Sequence, residues 1–212
     1  MLLSEAHAKD QLESEYFVSR ETIDAIELYQ VLLTKWAQHI NLVGPATLNH
    51  FWERHVLDSA QILHVVDPDT VSIVDIGSGA GLPGLILAKI LQDQSRPTDL
   101  TLIEMSAKRC GFLREATRAL NVVVSIEQKK IELVKAVPVS LVTARAFAPM
   151  NKLLDHAHPW AILGARLVFL KGQDIQREID EASTNWSFQS KVTTSSTRSN
   201  GCMVEISNLK RL

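Results

Sequence analysis

Between Thr22 and Ile40, apolar side chains recur at Ile23, Ile26, Tyr29, Leu32, Leu33, Trp36 and Ile40. Steps of three and four residues gather them on one face of a helix, with Thr22 placed as its N-cap. The breakers of NLVGPAT follow, and then Phe51, Trp52, Val56, Leu57, Ala60 and Leu63 repeat the helical period until DPDT ends it. Residues 1–69 are thus predicted to be an N-terminal helical segment. After Thr70 the texture changes. VSIVDI, DLTLIE, NVVVSIE, SLVTARA, ARLVFLK, SFQSKVTT and CMVEIS read as seven strands, with helical GLILAKILQD, SAKRCGFLREATRAL, MNKLLDHAHPW and QDIQREIDEAS among them. Near-continuous apolar strands alternating with helices predict an α/β domain over residues 70–212, its mostly parallel sheet covered on both faces. Trp36, Phe51 and Trp52 fall on apolar stripes, which assigns them to packing the helical segment on that domain. Ligands of such sheets collect at the C-terminal ends of the strands.

Composition narrows the classes. A chain of 212 residues that is 46% hydrophobic can bury one substantial core without staples from disulfides or metals. Its two cysteines, Cys110 and Cys202, lie far apart in apolar-patterned segments and read as small core hydrophobes, which fits a reducing cytoplasm. The start, MLLSEAHAKD, lacks the basic-then-apolar pattern of a secretory leader, and WAILGARLVFL is interrupted by Gly164 and Arg166 and too short to span a bilayer. The expectation is a cytoplasmic protein with no membrane partner and no obligate protein partner. A formal net charge of -2 supplies no global field for nucleic acid, so any such contact must be local.

The densest chemical signal is VDIGSGAGLPG. Gly77, Gly79, Gly81 and Gly84 occupy eight positions directly after the run Val71, Ile73, Val74 and Ile76, so something must approach the backbone closely there. Residues 79–84 spell G-x-G-x-x-G, and Glu104 closes the next strand twenty residues beyond Gly84. That spacing also satisfies a dinucleotide fingerprint, and a tight crossover with no ligand is the bland alternative. Asp75 bears on the choice, because a carboxylate at the strand end repels a pyrophosphate in a partly desolvated site. S-adenosylmethionine carries a sulfonium and an ammonium and has no phosphate. Glu104 would accept hydrogen bonds from its ribose hydroxyls, while backbone amides of the turn approach its methionine part. Asp75 can equally serve as a brace for the turn.

Five co-linear blocks add specificity: RHVLDS at 54–59, VDIGSGAGLPGL at 74–85, LIEMSAKRCGFL at 102–113, ARAFAPMNKLL at 144–154 and LKGQ at 170–173. Together they resemble the bacterial glucose-inhibited division protein B family, which methylates N7 of a guanine in 16S ribosomal RNA. The resemblance implies a Rossmann-like class I methyltransferase fold that uses S-adenosylmethionine and releases S-adenosylhomocysteine. Its acceptor would be 16S rRNA in the 30S subunit or an assembly intermediate. Gly77 and Leu82 would line the cofactor turn, Glu104 the ribose, and Ile131 with Glu132 the adenine. Arg145 resembles the family's cofactor- and substrate-side arginine, and Lys171 its lysine in LKGQ.

The residues are compatible with that chemistry. Guanine N7 has an in-plane lone pair and needs no general base, so positioning dominates, and Arg145 and Lys171 could orient O6 or a flanking phosphate. The Asn/Asp-Pro-Pro-aromatic turn of exocyclic-amine methylation is replaced by ARAFAP, and neither cysteine suits covalent cytosine chemistry. For RNA contact, His50, Arg54 and His55 cluster in the second helical stretch, and Lys108, Arg109, Arg114 and Arg118 stud the helix after Glu104. An ordinary solvated helix face is the alternative for these cations. Asp155, His156 and His158 lack the spacing for a metal, so no metal is expected. The rival functions are a small-molecule methyltransferase, an NAD-dependent oxidoreductase and a ligand-sensing module.

Overall fold

A computed structural model describes residues 4–96, 98–197 and 201–212. Two capped helices open the chain. Ser4 accepts the His7 amide at the start of α1 (Glu5–Tyr16), which buries Ala8, Leu12 and Tyr16 along one edge. Ser19, not Thr22, caps α2 (Arg20–Ala37), because its hydroxyl accepts the Thr22 amide. The Ser19 amide and hydroxyl are themselves bound by Asp93, at 2.7 and 2.9 Å. After the short α3 (Pro45–Leu48), the second predicted helix proves to be three windings in succession: a π-helical turn (Trp52–Leu57), α4 (Asp58–Ala60) and a 3-10 turn (Gln61–Val65). The changing pitch keeps Phe51, Trp52, Val56 and Leu57 in the core while Arg54, His55 and Asp58 border a cavity.

The α/β part follows as β1 (Ser72–Ile76), α5 (Gly84–Asp93), β2 (Asp99–Ile103), α6 (Ala107–Ala119), β3 (Ser125–Glu127), β4 (Leu141–Arg145), α7 (Met150–Ala161), β5 (Arg166–Lys171), α8 (Ile175–Ala182), β6 (Trp186–Thr194) and β7 (Cys202–Arg211). They form one seven-stranded sheet of order β3-β2-β1-β4-β5-β7-β6, parallel except where β7 runs against both neighbours. β3 is shorter than NVVVSIE suggests: it is an edge strand, and Val123 before it stands exposed. Strand order reverses between β1 and β4, where a doubly wound sheet opens a crevice for ligands.

Alternate residues of each strand feed two cores. Val74, Ile76, Val142, Ala144 and Phe169 pack under α7 and α8. Ile73, Leu100, Leu102, Leu141 and Val168 meet α5 and α6 on the other face, together with Leu12, Ile26, Tyr29, Leu33 and Phe51 from the N-terminal helices. The helical segment therefore shares its core with the sheet. Tyr29 also donates its hydroxyl hydrogen to the Ala80 carbonyl at 2.7 Å, tying α2 to the glycine turn. Trp36 packs edge-on against Phe112 of α6, and Phe51 and Trp52 are buried in the same core.

Candidate active site

The turn from Gly77 to Pro83 leads β1 into α5, and its start is pinned to β2 because the Gly77 and Ser78 amides both donate to the Ile103 carbonyl. Gly77, Gly79 and Gly81 have φ of +68°, +55° and +82°, a region side chains disfavour. Beyond that backbone need, each glycine makes room for something different. A Cβ on Gly77 would stand 2.0 Å from the Phe147 ring, one on Gly81 2.4 Å from Leu85, and one on Gly84 2.6 Å from Leu102. Those three admit the protein's own packing. At Gly79 the nearest atom to an added Cβ is the Gly77 carbonyl oxygen, at 3.8 Å, and the residue borders a cavity of about 880 Å³. Gly79 is where a ligand has space to approach the backbone.

Asp75 braces the turn from below. It is completely buried, its Oδ1 accepts from Thr143 Oγ1 at 3.0 Å, and its Oδ2 lies against the first turn of α5. Burial pushes its carboxyl up to about 7, opposed by hydrogen bonds from its surroundings. It does not border the cavity. Glu104 lies past the end of β2, 3% exposed, where its carboxylate accepts the Ser106 amide at 2.8 Å and the Gly79 amide at 3.1 Å. A carboxylate has about four lone-pair sites, so capacity for two ribose hydroxyls remains. Arg109 lies 3.6 Å from Glu104 and donates to the Asn41 carbonyl, joining this corner to the loop after α2.

Across the cavity, Arg145 ends β4. Its Nη1 donates to the Arg54 carbonyl at 3.0 Å and meets His55 Nδ1 at 2.9 Å. A guanidinium has only donors, so Nδ1 must accept and the imidazole hydrogen is assigned to Nε2, 2.9 Å from Thr47 Oγ1. Thr47 in turn donates to the Gly44 carbonyl at 2.6 Å. Burial pushes the His55 pKa down to about 3, and the charges of Arg145 and Arg54 push the same way. His55 is thus a neutral prop behind Arg145. At 4% exposure it lies in the cavity wall and not on the outer surface. Burial lowers Arg145, Asp58 holds it up, and a guanidinium remains cationic.

Lys171 at the end of β5 is 6% exposed on its side chain, 2.6 Å from Glu178 and donating to the Ala148 carbonyl. Glu178 also accepts the amide of Met150, so the pair fixes the start of α7. Leu82, Arg54 and Arg109 border the cavity as well, whereas Lys108 is exposed at the start of α6. Ile131 is buried in a short turn and Glu132 projects towards His156 at 3.8 Å, neither of them on the cavity wall. His156 packs on Phe147 and His158 on Trp186. Among the described residues no three metal-ligating side chains converge.

Several wall residues belong to no sequence motif. Asn41, Leu42, Val43 and Glu178 reach the cavity only through tertiary packing, whereas Phe147 lies in the block ARAFAPMNKLL. Asp58 belongs to the block RHVLDS, where it is the lone acid of the stretch HVLDSA. Its Oδ1 accepts from Gln61 Nε2 at 2.8 Å and Ser195 Oγ at 3.1 Å, while Oδ2 faces Arg145 Nη1 at 3.9 Å. Burial raises its pKa and Arg145 opposes the rise.

A glycine turn after β1, an acid closing β2 and a seven-stranded sheet with one reversed strand define the Rossmann-like methyltransferase class. The magnesium protoporphyrin IX methyltransferase of Synechocystis PCC 6803, solved with bound S-adenosylmethionine, shares the fold at a TM-score of 0.53 and 14% identity, covering 97% of each chain. Residues 22–204 match the family model described as rRNA small subunit methyltransferase G. Proteins named ribosomal RNA small subunit methyltransferase G are 39% identical in Rhodospirillum rubrum, covering 92% of this chain and 94% of that protein, and 40% identical in Caulobacter vibrioides, covering 90% and 87%. The chain belongs to the rRNA small subunit methyltransferase G family.

Proposed function

We propose that the protein methylates N7 of a guanine in the 530 loop region of 16S rRNA, with S-adenosylmethionine as donor. The acceptor would be the 30S subunit or an assembly intermediate in the cytoplasm. No helix among the described residues is long and apolar enough to cross a membrane. The observation that carries the reading is the cavity itself. It runs from the open side of Gly79 to Arg145 and Lys171 at the ends of β4 and β5, so donor and acceptor can meet at the sheet's switch point.

Gly79 and Leu82 on the cavity wall would hold the donor, with Glu104, which is not itself on the wall but accepts the Gly79 amide, supplying an acid with acceptor capacity to spare. When bound, S-adenosylmethionine supplies a sulfonium methyl that the N7 lone pair takes while the carbon–sulfur electrons stay on sulfur, and no proton moves. The chain's task is then to position the base and exclude water. Arg145, fixed by His55 and Arg54, presents a cation towards guanine O6, and Arg54, Arg109 and Lys108 offer charge for flanking phosphates. The test is transfer of labelled methyl to 30S subunits and to free 16S rRNA lacking the modification. Label should enter the RNA and make the target strand cleavable by borohydride and aniline, which attack N7-methylguanine. Label that appears in neither sample, or without that cleavage, refutes the assignment.

A further inference from the structure

We propose that Asp58 reads the target base as guanine, accepting hydrogen bonds from N1–H and the 2-amino group. The inference rests on the guanine-N7 reading above. Along the pairing edge of guanine an acceptor, O6, stands beside two donors, N1–H and the 2-amino group, and enzymes that act on an extruded base commonly read this edge. The cavity wall offers the complement. The Arg145 guanidinium and the Asp58 carboxylate face each other at 3.9 Å, a cation for O6 and an acceptor for the two donors. N7 lies on the other side of O6 from N1, so a base gripped in this way leaves its nucleophile free.

The remaining hydrogen bonds fix the pair for that task. Arg145 Nη1 is committed to the Arg54 carbonyl and His55, leaving Nε and Nη2 as donors. Gln61 and Ser195 hold Asp58 Oδ1 and set the plane of the carboxylate, whereas Oδ2 has only the 3.9 Å contact among the described residues. Glu178, the other acid on the wall, is closed by Lys171 at 2.6 Å and the Met150 amide. Methylation at N7 also places positive charge on the purine and makes N1–H more acidic. A carboxylate accepting that hydrogen therefore binds the transition state more strongly than the ground state.

The test is a cycle of one protein change and one base change. Single-turnover methyl transfer is measured for wild type and Asp58→Asn on 30S subunits reconstituted with guanine or inosine at the target, inosine lacking only the 2-amino group. In the variant the amide oxygen must face Gln61 and Ser195, so its NH2 replaces Oδ2 and opposes the base's donors. Wild type should lose about 10- to 100-fold on inosine, the range of a charge-assisted hydrogen bond. Asp58→Asn should lose at least as much on guanine, with little further loss on inosine and unchanged calorimetric affinity for S-adenosylhomocysteine. Equal rates of wild type on both bases, or equal inosine penalties in both proteins, overturn the inference alone. The first of these needs no variant to fold. Wild type inactive on guanine subunits overturns the guanine-N7 reading and this inference with it.

Discussion

Gly77 and Gly79 stand two positions apart, yet replacing them should damage different properties. Gly77→Ala forces a Cβ into the Phe147 ring at a positive φ, and we expect a stability loss of about 2–4 kcal/mol, partly recovered by adding Phe147→Leu. Gly79→Ala meets no protein atom closer than 3.8 Å, so its folding cost should stay near the backbone penalty of about 1–2 kcal/mol. Its affinity for S-adenosylhomocysteine should instead fall about tenfold or more; denaturant curves and calorimetry on both variants separate the two effects. His55 gives a pH signature. With a pKa near 6.5 unfolded and about 3 folded, the unfolded chain binds the extra proton between those values, so its contribution is complete above about pH 6.5 and fades as pH falls towards 3. The stability gap between wild type and His55→Gln should therefore be wide at pH 7.5 and narrower at pH 5; a gap that widens in acid would contradict a neutral His55. The turn glycines are legible in the sequence because they follow an apolar strand directly, whereas Arg145 and Lys171 stand out only through the family resemblance of ARAFAPMNKLL and LKGQ. The inward turn of His55 is not legible, since it depends on a guanidinium ninety residues away.

At the scale of elements, the apolar period locates nearly every helix and strand, and it fails where a boundary is polar. α2 starts three residues before its stripe, because Arg20 and Glu21 carry no apolar signal and the cap at Ser19 is held by Asp93, seventy-four residues away. α1 falls within the predicted helical segment but shows no stripe of its own, because only Ala8, Leu12 and Tyr16 are buried in a largely polar helix. Ser19→Ala removes both the cap and an anchor to the end of α5, so a loss of about 1–2 kcal/mol is expected, read as a lower urea midpoint at constant slope. The stretch after α3 reads as one helix because its apolar spacing is nearly helical, and the π-helical turn that swings Asp58 to the cavity is invisible to a fixed period.

The molecule as a whole is slightly acidic, so RNA affinity must come from cations near the cavity mouth. Lys108→Ala should make the slope of log affinity against log salt shallower by about one, the change expected when a single phosphate is no longer neutralised. An unchanged slope, measured by filter binding to 30S subunits across a salt series, would remove Lys108 from the interface. The division at residue 69 follows a change of sequence texture, and the packing crosses it: one core joins Tyr29 and Phe51 to Leu85 and Leu113. The bond from the Tyr29 hydroxyl to Ala80 extends that union into the turn proposed to cradle the donor. Lesions in α2, distant in sequence from every glycine, will consequently masquerade as poor uptake of the methyl donor, and a screen that records only catalysis would blame the wrong end of the chain.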